Sequence, residues 1–274
     1  MIPSTTGRTI DLAEVSQGIL SGQRVVPASF TEKQPEHDTA WAEKLNITER
    51  ISTFTTEHPC CASRVSNIHR AADILQNQII EPGEVFSLNE RLGPRTVERG
   101  FVEAGAIAEG NKFVDDVGGG VSQIATTLYN TMFFAGLEDV SHTPHSLYIS
   151  RYPMGREATV NYPNLDLQFR NDSNSGVLIR AAYTDTSITF AFYSSSEGRV
   201  VTSTEPTVTA RYPAGAETIK TPFLPKGTTK SEDGYDGFSV VYSRTVERPG
   251  QEPARREWTW RYDTLDAKTY VGTG

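Results

Sequence analysis

Apolar positions recur every third or fourth residue in two stretches of the chain and every second residue in many others. Val65, Ile68, Ala72 and Leu75 share one face over residues 64–77, which predicts a helix with Ser63 as its cap. Ile124, Leu128 and Met132, flanked by Val121 and Ala125, mark a second helix, and Gly136 stands where a left-handed helix stop is expected. Three consecutive glycines, Gly118, Gly119 and Gly120, lead into it. Ile10, Ala13, Ile19 and Leu20 give a weaker helical stripe after Thr9 and Asp11, followed by strand-like alternation over 24–30.

Elsewhere the period is two. Residues 51–56 are β-branched and aromatic and predict a strand, and 85–88 predict a short one after the Pro82-Gly83 turn. Runs at 146–152, 158–162, 165–170, 177–183 and 187–193, separated by Gly, Asn, Asp and Pro, predict an antiparallel sheet. Residues 197–205 are polar and read as a linker or as a strand leaving one domain for the next. In the remainder, 237–246 and 257–262 alternate like two strands of a hairpin around Pro249-Gly250, so the tail reads as a small all-β module. The pattern predicts an α+β chain in three parts: 1–50, 51–195 and 196–274.

Composition narrows the classes. A net charge of −8 without a basic stripe argues against nucleic acid as a partner. No apolar run approaches the roughly 18 residues of a membrane span, and Met1-Ile-Pro-Ser has no charged and apolar regions of a signal peptide. The opening residues read as the end of a domain, so a fragment of a longer protein is expected.

Candidate chemistry gathers around the glycines. Backbone without Cβ atoms admits a ligand, and a helix start presents N–H groups and a positive dipole end to an anion. Gly118, Gly119, Gly120 and Gln123 are therefore candidate ligand-facing residues. Ser122 is either a nucleophile backed by these amides, with His145 or His142 as its base, or simply the helix cap. Cys60 and Cys61, the two cysteines of the chain, form a vicinal disulfide, a buried unreactive pair or a thiolate nucleophile. Arg64, Arg95, Arg151 and Arg156 offer guanidinium groups to a carboxylate, or pair with the chain's own acids. His142 and His145, with Glu138 and Asp139 nearby, have ligand-type side chains. Pro144 breaks any helix that would align them, and no H-E-x-x-H run is present, so no metal or other cofactor is expected.

These residues also carry a family resemblance. Asn67-Ile68, Pro82-Gly83-Glu84 with Phe86-Ser87 and Asn89, Gly93-Pro-Arg-Thr96, Gly100-Phe101, Gly118-Gly-Gly-Val-Ser-Gln123 with Thr127-Leu-Tyr-Asn130, His145-Ser146, Gly155-Arg156 with Ala158-Thr-Val160, and Asp166-Leu with Phe169-Arg-Asn171 together resemble the VanW family, named for a gene of vancomycin-resistance clusters. The likeness runs in consistent order over 51–193. Residues 1–50 resemble the end of a peptidoglycan-binding-like domain, and the tail resembles the small extracellular β domains that follow VanW domains.

The resemblance implies a VanW-like domain with a glycine-rich helix start and an antiparallel β-sheet, on the extracellular face of the cell envelope. Peptidoglycan or its stem peptides are the implied partner, and a membrane would be met only through an anchor absent from this chain. It also implies either L,D-transpeptidase-like acyl transfer or a non-catalytic binding or assembly module. Some family members use a cysteine in a Gly-Gly-Gly-Val-Cys-Gln motif, and here that position is Ser122. The variant with serine there and an upstream Cys-Cys pair is similar to actinobacterial-type members, which points to Cys60 or Cys61 as a relocated thiol. His145 would then move the proton, and Arg95 or Arg156 would orient a substrate carboxylate.

Overall fold

In the computed structural model, which describes residues 3–59, 62–108 and 112–274, the first fifty residues bury little. β1 (Gly7–Ile10) is followed by α1 (Leu12–Leu20), whose first-turn amides at Ala13 and Glu14 are capped by the Asp11 carboxylate. β2 (Phe30–Lys33) pairs antiparallel with β1. The strand expected over 24–30 thus starts only at Phe30; Pro27 has no N–H to give a ladder, and β1 offers partners only to Phe30–Lys33. α2 (Thr39–Lys44) ends at Leu45, a buried side chain packed on Gly176.

The central part is an α+β assembly. β3 (Glu49–Glu57) leads to α3 (Ala62–Leu75), β4 (Ile79–Ile80), β5 (Val85–Ser87) and α4 (Leu88–Leu92). Helix α3 begins at Ala62, so Ser63 lies inside it and does not cap it. β6 (Glu103–Ala108) and β7 (Lys112–Val117) then pair as an antiparallel ribbon that the polar/apolar pattern did not announce. α5 (Ser122–Ala135) and β8 (Glu138–Ser141) follow, and β9 (Gln168–Arg170), β10 (Val177–Thr184) and β11 (Ser187–Ser194) close this part. The expected single sheet is two: β3-β11-β10-β4, antiparallel throughout, and a smaller β5-β9-β8.

α5 is the axis of the core. Of its residues only Ser122 and Phe134 are not buried, and it packs against β3 and β11. A helix buried on all sides must satisfy its polar side chains internally. Thr126 donates to the Ala158 carbonyl and accepts from the Ala158 amide, both at 3.1 Å, and Asn130 donates to the Arg156 carbonyl at 2.7 Å. This explains why 158–162 is no sheet strand: the backbone of Ala158 and the amide of Val160 bond helix side chains, the Thr159 amide goes to the Thr143 carbonyl, and one bridge joins Asn161 to Leu165. Residues 146–152 likewise form turns.

The remaining strands are β12 (Val200–Ser203), β13 (Thr207–Tyr212), β14 (Ala216–Thr221), β15 (Thr229–Glu232), β16 (Gly237–Glu247), β17 (Ala254–Tyr262) and β18 (Ala267–Gly272). Of the two readings of 197–205, linker or departing strand, the strand is present as β12, because β16 is long enough to pair it beyond β13. β16 and β17 form an antiparallel pair, whereas β14, β18 and β15 form a separate sheet in which β14 and β18 run parallel. Tyr242 and Trp258 of this tail belong to the same apolar cluster as α5. Arg244, 6% exposed, donates to the Phe133 and Leu137 carbonyls at 2.9 and 2.8 Å, so a β16 side chain caps the C-terminus of α5. Among the described residues no helix is long and apolar enough to cross a membrane.

Candidate functional site

The glycines form a tight corner between β7 and α5. Gly118 and Gly120 have φ of +88° and +97°, values that side chains resist, and the stems of Arg95 and Arg64 lie where their Cβ atoms would be. Gly119 is pressed against the β6 backbone. The amides of Gly118, Gly119, Val121, Gln123 and Ile124 all donate to backbone carbonyls within 3.2 Å. The chain thus turns into the helix through successive hydrogen bonds, and most of the N–H groups expected to face an anion are already engaged.

Ser122 is half-buried at the first helical position. Its Oγ lies 3.3 Å from Thr159 Oγ1 and accepts the Val160 N–H at 3.3 Å. Among the described residues no hydrogen bond joins it to His145 or His142.

Gln123, fully buried, is the hub. Its Nε2 donates to Thr56 Oγ1 at 2.5 Å and to the Glu57 carbonyl at 3.2 Å. Its Oε1 accepts from Arg64 Nη2 at 3.1 Å and from the Tyr152 hydroxyl at 3.0 Å. The Tyr152 ring stacks on His145 with centroids 5.4 Å apart. His145, 8% exposed, meets the fully buried Glu157 through Nδ1 at 2.5 Å, and Tyr262 donates its hydroxyl to the other oxygen of Glu157 at 2.6 Å. A carboxylate on Nδ1 holds the proton there and leaves Nε2 as the basic nitrogen. The result is two hydrogen-bonded groups, β3–Gln123–Tyr152 and His145–Glu157–β17, joined by the stack of Tyr152 on His145.

The other expected residues are dispersed. Arg95 donates through Nη1 to Asn89 Oδ1 at 2.7 Å and lies over Tyr162; burial lowers its guanidinium to about 10, against the opposing pull of Asp166. Arg156 lies over Phe133 and Phe134, about three turns along α5 from the glycine corner, so it and Arg95 do not converge. Arg151 is exposed beside Tyr152. His142 bonds Asp139 at 3.1 Å and stacks on Tyr129, forming a second buried imidazole–carboxylate pair separate from the first. Burial would raise the Asp139 carboxyl, but the hydrogen bonds from His142 and Trp258 and the charges of His142 and Arg256 outweigh it, and the net direction is down. Among the described residues no cluster of three or more His, Cys, Asp or Glu side chains is arranged for a metal.

Cys60 and Cys61 lie outside the described residues. The chain on either side of them, at Glu57 and Arg64, is bonded to Gln123. His58, 4% exposed, has no hydrogen-bond partner on Nε2 among the described residues, and burial lowers its basicity, assisted by the charges of Arg64, His69 and Arg151.

Residues 63–193 match the family model described as "VanW like protein". They form a VanW-like domain. Over 133 residues, 48% of the chain, the sequence is 37% identical to "Uncharacterized protein YoaR" of Bacillus subtilis (strain 168), and the match spans 44% of that relative's length. Two solved structures are similar over 27% of this chain. One is an IgA1 protease G5 domain, with 21% identity, 89% of that chain covered and a TM-score of 0.20. The other is HP0197-G5, with 16% identity, 97% covered and a TM-score of 0.15.

Several residues of the VanW-like domain's hydrogen-bonded groups escaped sequence reasoning. Glu157 sits between Arg156 and Ala158, both quoted for the family resemblance, yet nothing in the local pattern marks it as buried. Tyr152 and Tyr262 read as ordinary β-type aromatics. The one available signal was an acid within fifteen residues of His145 in an apolar setting.

Proposed function

We propose that this is a cell-envelope protein whose VanW-like domain engages peptidoglycan stem peptides and carries out acyl transfer, with a thiol of Cys60 or Cys61 as the attacking group and Ser122 as a structural residue. The observation that supports it is the buried His145–Glu157 pair, one ring away from the Gln123 hub to which both flanks of the cysteines are bonded. A buried carboxylate fixes the imidazole tautomer and steadies the imidazolium as it forms, the arrangement a proton carrier needs. In this reading His145 Nε2 takes the thiol proton, and the thiolate adds to an amide carbonyl carbon of the donor peptide. The C–N bond then breaks as His145 returns the proton to the leaving amine. The amine of a second stem peptide attacks the thioester, its proton passes through His145 to the departing sulfur, and a new amide remains. No cofactor takes part.

A second reading is a non-catalytic binding or assembly module for the same ligand. It is favoured by the tethering of Ser122 Oγ to Thr159 and Val160, at the position where some family members hold a cysteine.

The test is incubation with a disaccharide-tetrapeptide and mass spectrometry of the products, comparing wild type with Cys60→Ala, Cys61→Ala, Ser122→Ala and His145→Ala. Cross-linked dimer lost with His145→Ala and one cysteine variant, and kept with Ser122→Ala, is the expected result. Muropeptide binding without dimer selects the second reading, and dimer that survives all four changes removes this site from the reaction.

A further inference from the structure

Strand β17 presents every second side chain to the VanW-like domain, and each of the four makes a polar bond there. Arg256 Nη1 donates to the Asp139 carbonyl at 2.6 Å, and its Nη2 lies 3.5 Å from the Asp139 carboxylate. Trp258 Nε1 donates to Asp139 Oδ2 at 2.9 Å. Trp260 Nε1 donates to the His145 carbonyl at 2.9 Å, and Tyr262 gives its hydroxyl proton to Glu157. The period of two that a strand imposes thus aligns four donors on one face. They fall on the two carboxylates that hold His142 and His145, and on the backbone of His145 itself.

We infer that β17 is a built-in part of the site, with Tyr262 and Trp258 as positioning residues that set the orientation and charge of Glu157 and Asp139, and through them of His145 and His142. A donor to a carboxylate oxygen draws charge away from the oxygen facing the imidazole, and its removal returns that charge. The two arms are chemically separate. The His145–Glu157 pair is faced by Tyr262 from β17 and by Tyr148 and Tyr152 from the segment between β8 and β9. The His142–Asp139 pair is faced by Tyr129 of α5, by Tyr242 and Arg244 of β16, and by Arg256 and Trp258 of β17. The inference rests on the acyl-transfer reading only where it concerns turnover; its effect on the imidazoles stands by itself.

The experiment follows the ring protons of the five histidines by NMR against pH in the full chain, in wild type, Tyr262→Phe and Trp258→Phe. Tyr262→Phe is expected to raise the titration midpoint of His145 by about one pH unit and leave His142 in place. Trp258→Phe is expected to do the reverse, raising His142 alone. Midpoints that do not move, or that move together in both variants as a general loosening would make them, overturn the inference. Should Tyr262→Phe not fold, His142 in Trp258→Phe decides by the same criterion. Dimer formation is read in parallel: selective shifts in a protein that makes no dimer uphold the role of β17 and count against acyl transfer. Unchanged midpoints in an active enzyme do the opposite.

Discussion

Gly119 lies flush against Ala104: a β-carbon on this glycine would stand 2.1 Å from the Ala104 carbonyl oxygen and 2.5 Å from its carbon. The contact joins the glycine corner to the β6–β7 ribbon and sets where α5 begins. Both atoms are backbone, so no side chain can yield to make room. Gly119→Ala is expected to destabilise the fold by about 3 kcal/mol, as overpacking against backbone does. Gly105→Ala, on the same ribbon with nothing within 4 Å of the added atom, is expected to change stability by less than about 0.5 kcal/mol. Denaturant unfolding of the two variants measures the difference.

Gln123 satisfies four groups at once, from Thr56, Glu57, Arg64 and Tyr152. Replacing it by methionine keeps the volume and removes every one of those bonds. Gln123→Met is expected to cost about 3 kcal/mol, since buried donors and acceptors left unpaired are penalised more than the lost bonds themselves. A thermal midpoint within a degree or two of wild type would show that the hub is rebuilt by water.

Arg244 ties β16 to the end of α5 through the Phe133 and Leu137 carbonyls, with its guanidinium between the rings of Phe133 and Trp258. Arg244→Met keeps the stem and loses the cap, at an expected cost of about 3 kcal/mol. The exposed Arg255, paired with Glu257 and Ser243, is the comparison: Arg255→Met is expected to fall within about 0.5 kcal/mol of wild type. Equal effects at the two positions would mean that the tail docks without this arginine.

Asp139 supplies a pH dependence of known sign. Its carboxyl titrates below the usual 3.8 in the folded chain. A depressed carboxylate contributes stability that is fully present above the unfolded value, about 4, and is lost as pH falls through the folded one. Stability measured by urea unfolding at pH 6 and at pH 3 is therefore expected to fall more steeply in wild type than in Asp139→Asn. Parallel loss in both proteins would place the acid sensitivity elsewhere.

The helices α1, α3 and α5 were legible because their information is local, whereas the short α2 and α4, of six and five residues, were not announced. The apolar stripe of α5 and its stop at Gly136, observed at φ +69° with its amide on Phe133, follow from a 3.6-residue period and one residue type. The pairing of β16 with β17 follows from alternation around a turn. The β6–β7 ribbon, by contrast, has no clean alternation. The apolar run 158–162 has the composition of a strand yet lies along α5, because Thr126 and Ser122 hold the backbone of Ala158 and Val160 where a neighbouring strand otherwise would. No window of sequence contains that competition.

The site divides along the same line. Sequence alone determined that three glycines, 118–120, make a hinge, that a helix leaves them, and that His145, Ser122, Gln123 and the cysteines are the chemically capable groups to weigh. Tertiary structure decided which of them meet. It turned Ser122 toward Thr159 and Val160, placed Arg156 about three turns from the corner, and gave His145 a buried carboxylate and a tyrosine from residues 12 and 117 positions away. The physical reason is that hydrogen bonding and burial act through space. A carboxylate becomes a partner for an imidazole only when the packing of two distant segments removes both from water.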